Sequence, residues 1–98
     1  MKYIISESRF NKIVSDYLDS IEYTEYIDSS DIFLANPETE HGEYLYDKNE
    51  QDLLINPDIV NMLSKVFGMD NYETFHTLEN WFSKKYDVHI ESSRPWDW

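Results

Sequence analysis

The stretch that most constrains this chain runs from residue 56 to residue 86, where the spacing predicts two amphipathic helices joined by a tight turn. Asn56-Pro57-Asp58 is a helix start. Asn56 accepts from a free backbone N–H as N-cap, Pro57 at the first position gives up a donor that had no partner, and Asp58 sits at the positive end of the helix dipole. Ile55 and Val60 fit a hydrophobic staple. Ile59, Met62, Leu63, Val66 and Phe67 fall on one face, and Gly68 ends the helix because it takes the left-handed conformation without a Cβ clash, with Met69 packing back. Asp70 and Glu73 form a capping-box-like pair for a second helix, whose face is Tyr72, Phe75, Leu78 and Phe82 with Trp81 and Tyr86 flanking it. Lys84 and Lys85 suit its negative end. About three residues separate the two helices, so they cross or run antiparallel.

A helix–turn–helix of this kind invites comparison with DNA readers, and the charges oppose it. A recognition helix needs basic and amide side chains to reach phosphates and base edges, whereas the second helix opens Asp70-Asn71-Tyr72-Glu73. Charge opposes nucleic acid over the whole chain, at net −12. From Asp19 to Asp52 there are eleven acidic residues against Lys48 alone, a net −10, leaving −2 elsewhere. Such a field disfavours nucleic acid and anionic membranes and attracts a basic protein surface. Aromatic residues make up 16% of the chain, which argues for a folded domain over a disordered acidic tail.

The expected fold class is α+β in a single domain over 1–98, with an acidic meander at 22–55, the helical hairpin at 56–86 and a C-terminal tail at 91–98. Lys2-Tyr3-Ile4-Ile5 reads as a short strand, capped by Ser6 into a helix carrying Phe10, Ile13, Val14, Tyr17, Leu18 and Ile21 on one side. Tyr23, Tyr26 and Ile27 either extend that helix or begin a strand. Ile32-Phe33-Leu34, Tyr44-Leu45-Tyr46 and Leu53-Leu54-Ile55 read as strands of a small antiparallel meander with an acidic open face, with turns at 36–42 and 47–50. Val88-His89-Ile90 alternates as an edge strand would.

No cysteine is present, which excludes disulfides, thiolate nucleophiles and cysteine-based zinc sites. No apolar run approaches the roughly 20 residues of a membrane span, and the first residues lack the apolar core of a signal peptide, so the expectation is a soluble intracellular protein. His41, His76 and His89 show no helical metal-site spacing. Asp28-Ser29-Ser30-Asp31 lacks the ligand spacing and glycine of a calcium loop. With Gly42 and Gly68 the only glycines, there is neither a phosphate loop nor a nucleophile elbow. The expectation is a non-enzymatic chain with no cofactor or metal.

Candidate contact residues are those where tyrosine interleaves with acid, namely Tyr23, Glu25, Tyr26, Glu43, Tyr44 and Tyr46, together with Trp96 and Trp98 of the tail. Tyrosine is enriched at interfaces. The two tryptophans alternate, and either fold back on the core or anchor a partner. The acidic segment reads either as a solvated face that keeps a small protein soluble or as a binding surface that mimics the phosphate spacing of DNA.

Ile4-Ile5-Ser6-Glu7-Ser8-Arg9-Phe10, Val66-Phe67-Gly68-Met69 and Trp81-Phe82-Ser83-Lys84-Lys85-Tyr86 together give the chain a resemblance to short proteins of tailed bacteriophages. The resemblance covers about a third of the chain and implies a phage origin, with no site carried over. The resulting expectation is a small protein-binding or virion-associated accessory protein in the host cytoplasm or the virion, the alternative being an acidic inhibitor that occupies the nucleic-acid site of a host defence enzyme.

Overall fold

The computed structural model describes residues 7–96, with side chains from residue 12 onward. Its elements run α1 (Glu7–Asp19), β1 (Thr24–Ile27), β2 (Asp31–Ala35), β3 (Gly42–Asp47), β4 (Asp52–Ile55), α2 (Pro57–Phe67), α3 (Asn71–Tyr86) and β5 (Ser92–Pro95). The class is α+β, as the sequence predicts. The expected strand at 2–5 and the Ser6 cap lie outside the described residues, as does Trp98.

Five strands form one sheet in the order β1-β2-β3-β4-β5 among the described residues. β1 to β4 are an antiparallel meander, and β5 returns through the helical pair to lie parallel to β4. One device makes all three meander turns. The side-chain oxygen of Asp28 accepts from the N–H of Ser30 and Asp31, that of Asn36 from Glu38 and Thr39, and that of Asp47 from Asn49 and Glu50. A short polar side chain that binds its own backbone two and three residues on mimics a turn. Part of the acidity of this segment is therefore turn chemistry.

Alternation splits the sheet. Ile32, Leu34, Tyr44, Tyr46, Leu53 and Ile55 face the helices and are buried. Val14 and Leu18 of α1, Ile59, Val60 and Leu63 of α2, and Leu78, Trp81 and Phe82 of α3 complete the core with Met69 from the turn. Phe82 is the hub of the contact, with its ring 6.0 Å from Tyr44, 5.7 Å from Tyr46 and 4.8 Å from Tyr86. Trp81 donates to Asp19 at 2.9 Å, tying α3 to the end of α1.

The caps form where the sequence places them. Asn56 accepts from the Asp58 N–H, Asp70 from the Glu73 N–H, and Gly68 takes φ +65°. The helix faces differ in detail. Val66 and Tyr72 are exposed and Ile13 partly so, while Val60 and Thr74 are buried. Thr74 tolerates burial because its hydroxyl bonds the Asp70 carbonyl. Residues 88–90 form no strand. Val88 and Ile90 pack against the core and the Tyr46 hydroxyl donates to the His89 carbonyl, while the ladder is made by Ser92–Pro95. Pairing with β4, fixed by Ser92 and Arg94 on Asp52, outweighs strand propensity there.

Asn56 is buried and does two jobs, since its Nδ2 also donates to the Gly42 carbonyl at 3.2 Å. Asn56→Ala removes the cap and leaves that carbonyl short of a donor, and is expected to cost about 2 kcal/mol in denaturant unfolding.

Candidate functional site

The face of the sheet turned away from the helices carries two rows. Across the strands the register sets Tyr26 beside Phe33, Phe33 beside Leu45, Leu45 beside Leu54 and Leu54 beside Arg94. One step along, Asp31 lies beside Asp47, Asp47 beside Asp52 and Asp52 beside Ser92. The apolar row is half-buried except for Tyr26, which is exposed. Trp96 follows β5 onto the same face and meets Phe33 edge-on, with centroids 5.7 Å apart and planes at 89°. Its N–H bonds the Ile55 carbonyl at 2.7 Å. Trp96 therefore folds back onto the open face of the sheet, and not onto the core.

The carboxylate row carries a repulsive cost beside its structural roles in the turn at Asp47 and the anchoring of β5 at Asp52. Like charges directly opposite on neighbouring strands repel, and among the described residues only Asp52 of the three has a cationic partner, Arg94 at 3.0 Å. Lys48, the one base of the meander, is drawn off to the Asp28 carbonyl.

The expected contact residues separate into two groups. Tyr26 and Glu25 are exposed on edge strand β1, and Trp96 is half-buried on the open face. Tyr44 and Tyr46 are core residues, 0% and 2% exposed, and are unavailable to a partner. Their alternation is real, but it points them at α3. Tyr23 is half-buried against Tyr44 and Trp81, and Glu43 lies away from the open face beside the start of α2. Sequence reasoning missed Phe33, Leu45, Leu54, Asp31 and Asp47 as members of one surface. The interleaved strand pattern held that signal, but both of its faces are apolar enough to be the core.

Beneath β1 three phenols converge. Burial pushes the Tyr23 hydroxyl up to about 12, offset in part by the Tyr44 hydroxyl and reinforced by Glu43. Burial also raises Tyr44 and Tyr86, the latter with the Glu25 carboxylate adding to the effect. The Tyr44 and Tyr86 hydroxyls are buried without an aligned hydrogen bond among the described residues.

Comparison with protein-family models, with curated proteins and with solved structures finds no match. No helix among the described residues is long and apolar enough to cross a membrane.

Tyr44→Phe removes a buried hydroxyl that has no aligned hydrogen bond among the described residues and keeps the ring, so it is expected to raise stability by about 1 kcal/mol in denaturant unfolding. The raised phenols also set an alkaline limit. Their contribution is complete below the unfolded tyrosine value of about 10. It is lost as pH rises through their folded values, about 12 for Tyr23. The tyrosinate absorbance that comes from the buried phenols is expected to appear together with loss of the helical signal over that window.

Proposed function

We propose that this chain is a non-enzymatic binding module whose open sheet face docks a segment of another protein that carries basic residues beside an apolar or aromatic run. The observation that carries this is the pairing of the two rows. A strip from Tyr26 through Phe33, Leu45 and Leu54 offers apolar contact, and the Asp31–Asp47–Asp52 row beside it selects positive charge. Charge complementarity names the occupant. The stretch from Asp19 to Asp52 is net −10, so a second copy of this chain is repelled and a basic segment is attracted. Asp47 and Asp52 also hold a turn and β5, and setting like charges side by side is a local conflict of the kind found at functional surfaces. The phage resemblance fits an accessory or virion-associated role for such a module, in the host cytoplasm or the virion.

A second reading, an acidic protein that occupies the nucleic-acid site of a defence enzyme, shares the basic partner and is favoured by the same concentration of charge. Salt separates the two, because a charge-driven complex is screened away and an aromatic-anchored one persists.

The test is capture on the immobilised chain, with low- and high-salt washes, followed by hydrogen-exchange footprinting of the complex. Asp31→Asn/Asp47→Asn is the informative variant, because asparagine can keep the turn at 47, as Asn36 does in its own turn, while two charges are removed. The expected result is a partner retained at high salt, protection on β2 to β4, and affinity lowered about tenfold by the double variant and by Tyr26→Ser. Loss of the partner at high salt would favour the mimic. Protection confined to α2 and α3, or equal capture by both variants, would remove the open-face reading.

A further inference from the structure

The ladder between β2 and β3 is irregular at one end. Leu34 faces Tyr44 but Ala35 faces Gly42, so Glu43 is the extra residue of a β-bulge. Its carbonyl is held by the Asn56 N–H at 2.8 Å. Its side chain is released from the alternation of β3 and lines a cleft between the end of α1, the start of α2 and the linker to β1. Bulges re-aim side chains in this way.

The cleft has a volume of about 360 Å³ and is walled by Tyr17, Ile21, Tyr23, Ile59 and Met62. That volume falls in the range of small-ligand sites, roughly 300–1,000 Å³. The Tyr17 hydroxyl donates to the Met62 sulfur at 3.4 Å, which fixes one wall. Its charged lining is acidic, made of Glu22, Glu43 and Asp58, with neither lysine nor arginine among the described lining residues. Glu43 is half-buried. Burial raises its carboxyl above the ordinary value and Asp58 adds to this, while His41 opposes it. A carboxylate on low-dielectric walls focuses negative potential into the opening.

We propose that this cleft binds a small organic cation, an ammonium or guanidinium on an aromatic or aliphatic body, with Glu43 and Asp58 pairing the charge and the tyrosine, isoleucine and methionine walls taking the body. Tyr17 and Tyr23 present ring surface suited to a cation. An anion would meet three carboxylates, and a neutral guest would add nothing to the partial compensation that His41 gives the half-buried Glu43. A hard metal ion would need six or more oxygen ligands, which apolar walls do not supply. The cation is either a free amine or a side chain presented by a docked protein. This site is separate from the open face and stands or falls independently of it.

The test is an NMR-monitored titration of the full chain with phenethylammonium chloride and with N-acetyl-arginine amide, using phenethyl alcohol and phenylpropanoate as neutral and anionic controls. Saturable shifts at the Ile59 and Met62 methyls are expected for at least one cation, with the alcohol about tenfold weaker and the carboxylate not binding. Preference for phenethylammonium identifies a free amine as the source, and preference for the arginine amide identifies a protein side chain. Glu43→Gln and Asp58→Asn are each expected to lower affinity about tenfold. Thermal unfolding of each variant is to be checked, and Glu43→Gln is the decisive one, since it removes charge from a half-buried position without removing a cap. Absence of saturation by both cations, equal affinity for the alcohol, or wild-type affinity in a folded Glu43→Gln would overturn the proposal.

Discussion

The contact between the ring of Phe82 and the two tyrosines of β3 is the constraint on which the rest of the structure depends. β3 is the central strand, so whatever holds α3 to it also holds the helical layer to the sheet. Tyr44 sits between Tyr23, Trp81 and Phe82, and Tyr46 bonds the chain beyond α3 at His89. Aromatic pairs of this kind add about 0.5–1.5 kcal/mol each beyond the area they bury. A chain of this length has few other large side chains with which to seal two layers, and it accepts unaligned phenol hydroxyls in the core as the cost of the ring surface.

The sequence shows most clearly those features whose causes are local. The Asn56 and Asp70 caps and the Gly68 stop each depend on a few neighbouring residues, and each forms as the pattern predicts. β5 shows the opposite case. Ser92-Ser93-Arg94-Pro95 has no strand character of its own, and it becomes a strand because Asp52, distant in sequence, accepts from Ser92 and Arg94. Val88-His89-Ile90 has the right alternation and pairs with nothing in the sheet.

The open face of the sheet is half legible in the sequence for a related reason. Alternation shows that Tyr44 and Leu45 lie on opposite faces, but not which face the helices cover. Tyrosine with acidic neighbours suggested the exposed side, and the larger rings were needed inside. The bulge at Glu43 was hidden as well, because one extra residue in a ladder is a property of two strands and Gly42 alone does not announce it.

The two margins of the sheet are unlike. In β5 the N–H groups of Ser92 and Trp96 turn inward to the carbonyls of Gln51 and Ile55, which puts the position of Pro95 on the outward side. Proline has no hydrogen to offer there, so that margin resists further strand growth. β1 carries no such block, and Tyr26 and Ile27 lie exposed along it. Among the described residues, further pairing is therefore resisted at β5 and not at β1. On that strand Glu25 alternates with Tyr26 and lies on the helix side, beside the Tyr86 phenol. Of the two margins, the one at β5 is chemically closed to further pairing by its proline.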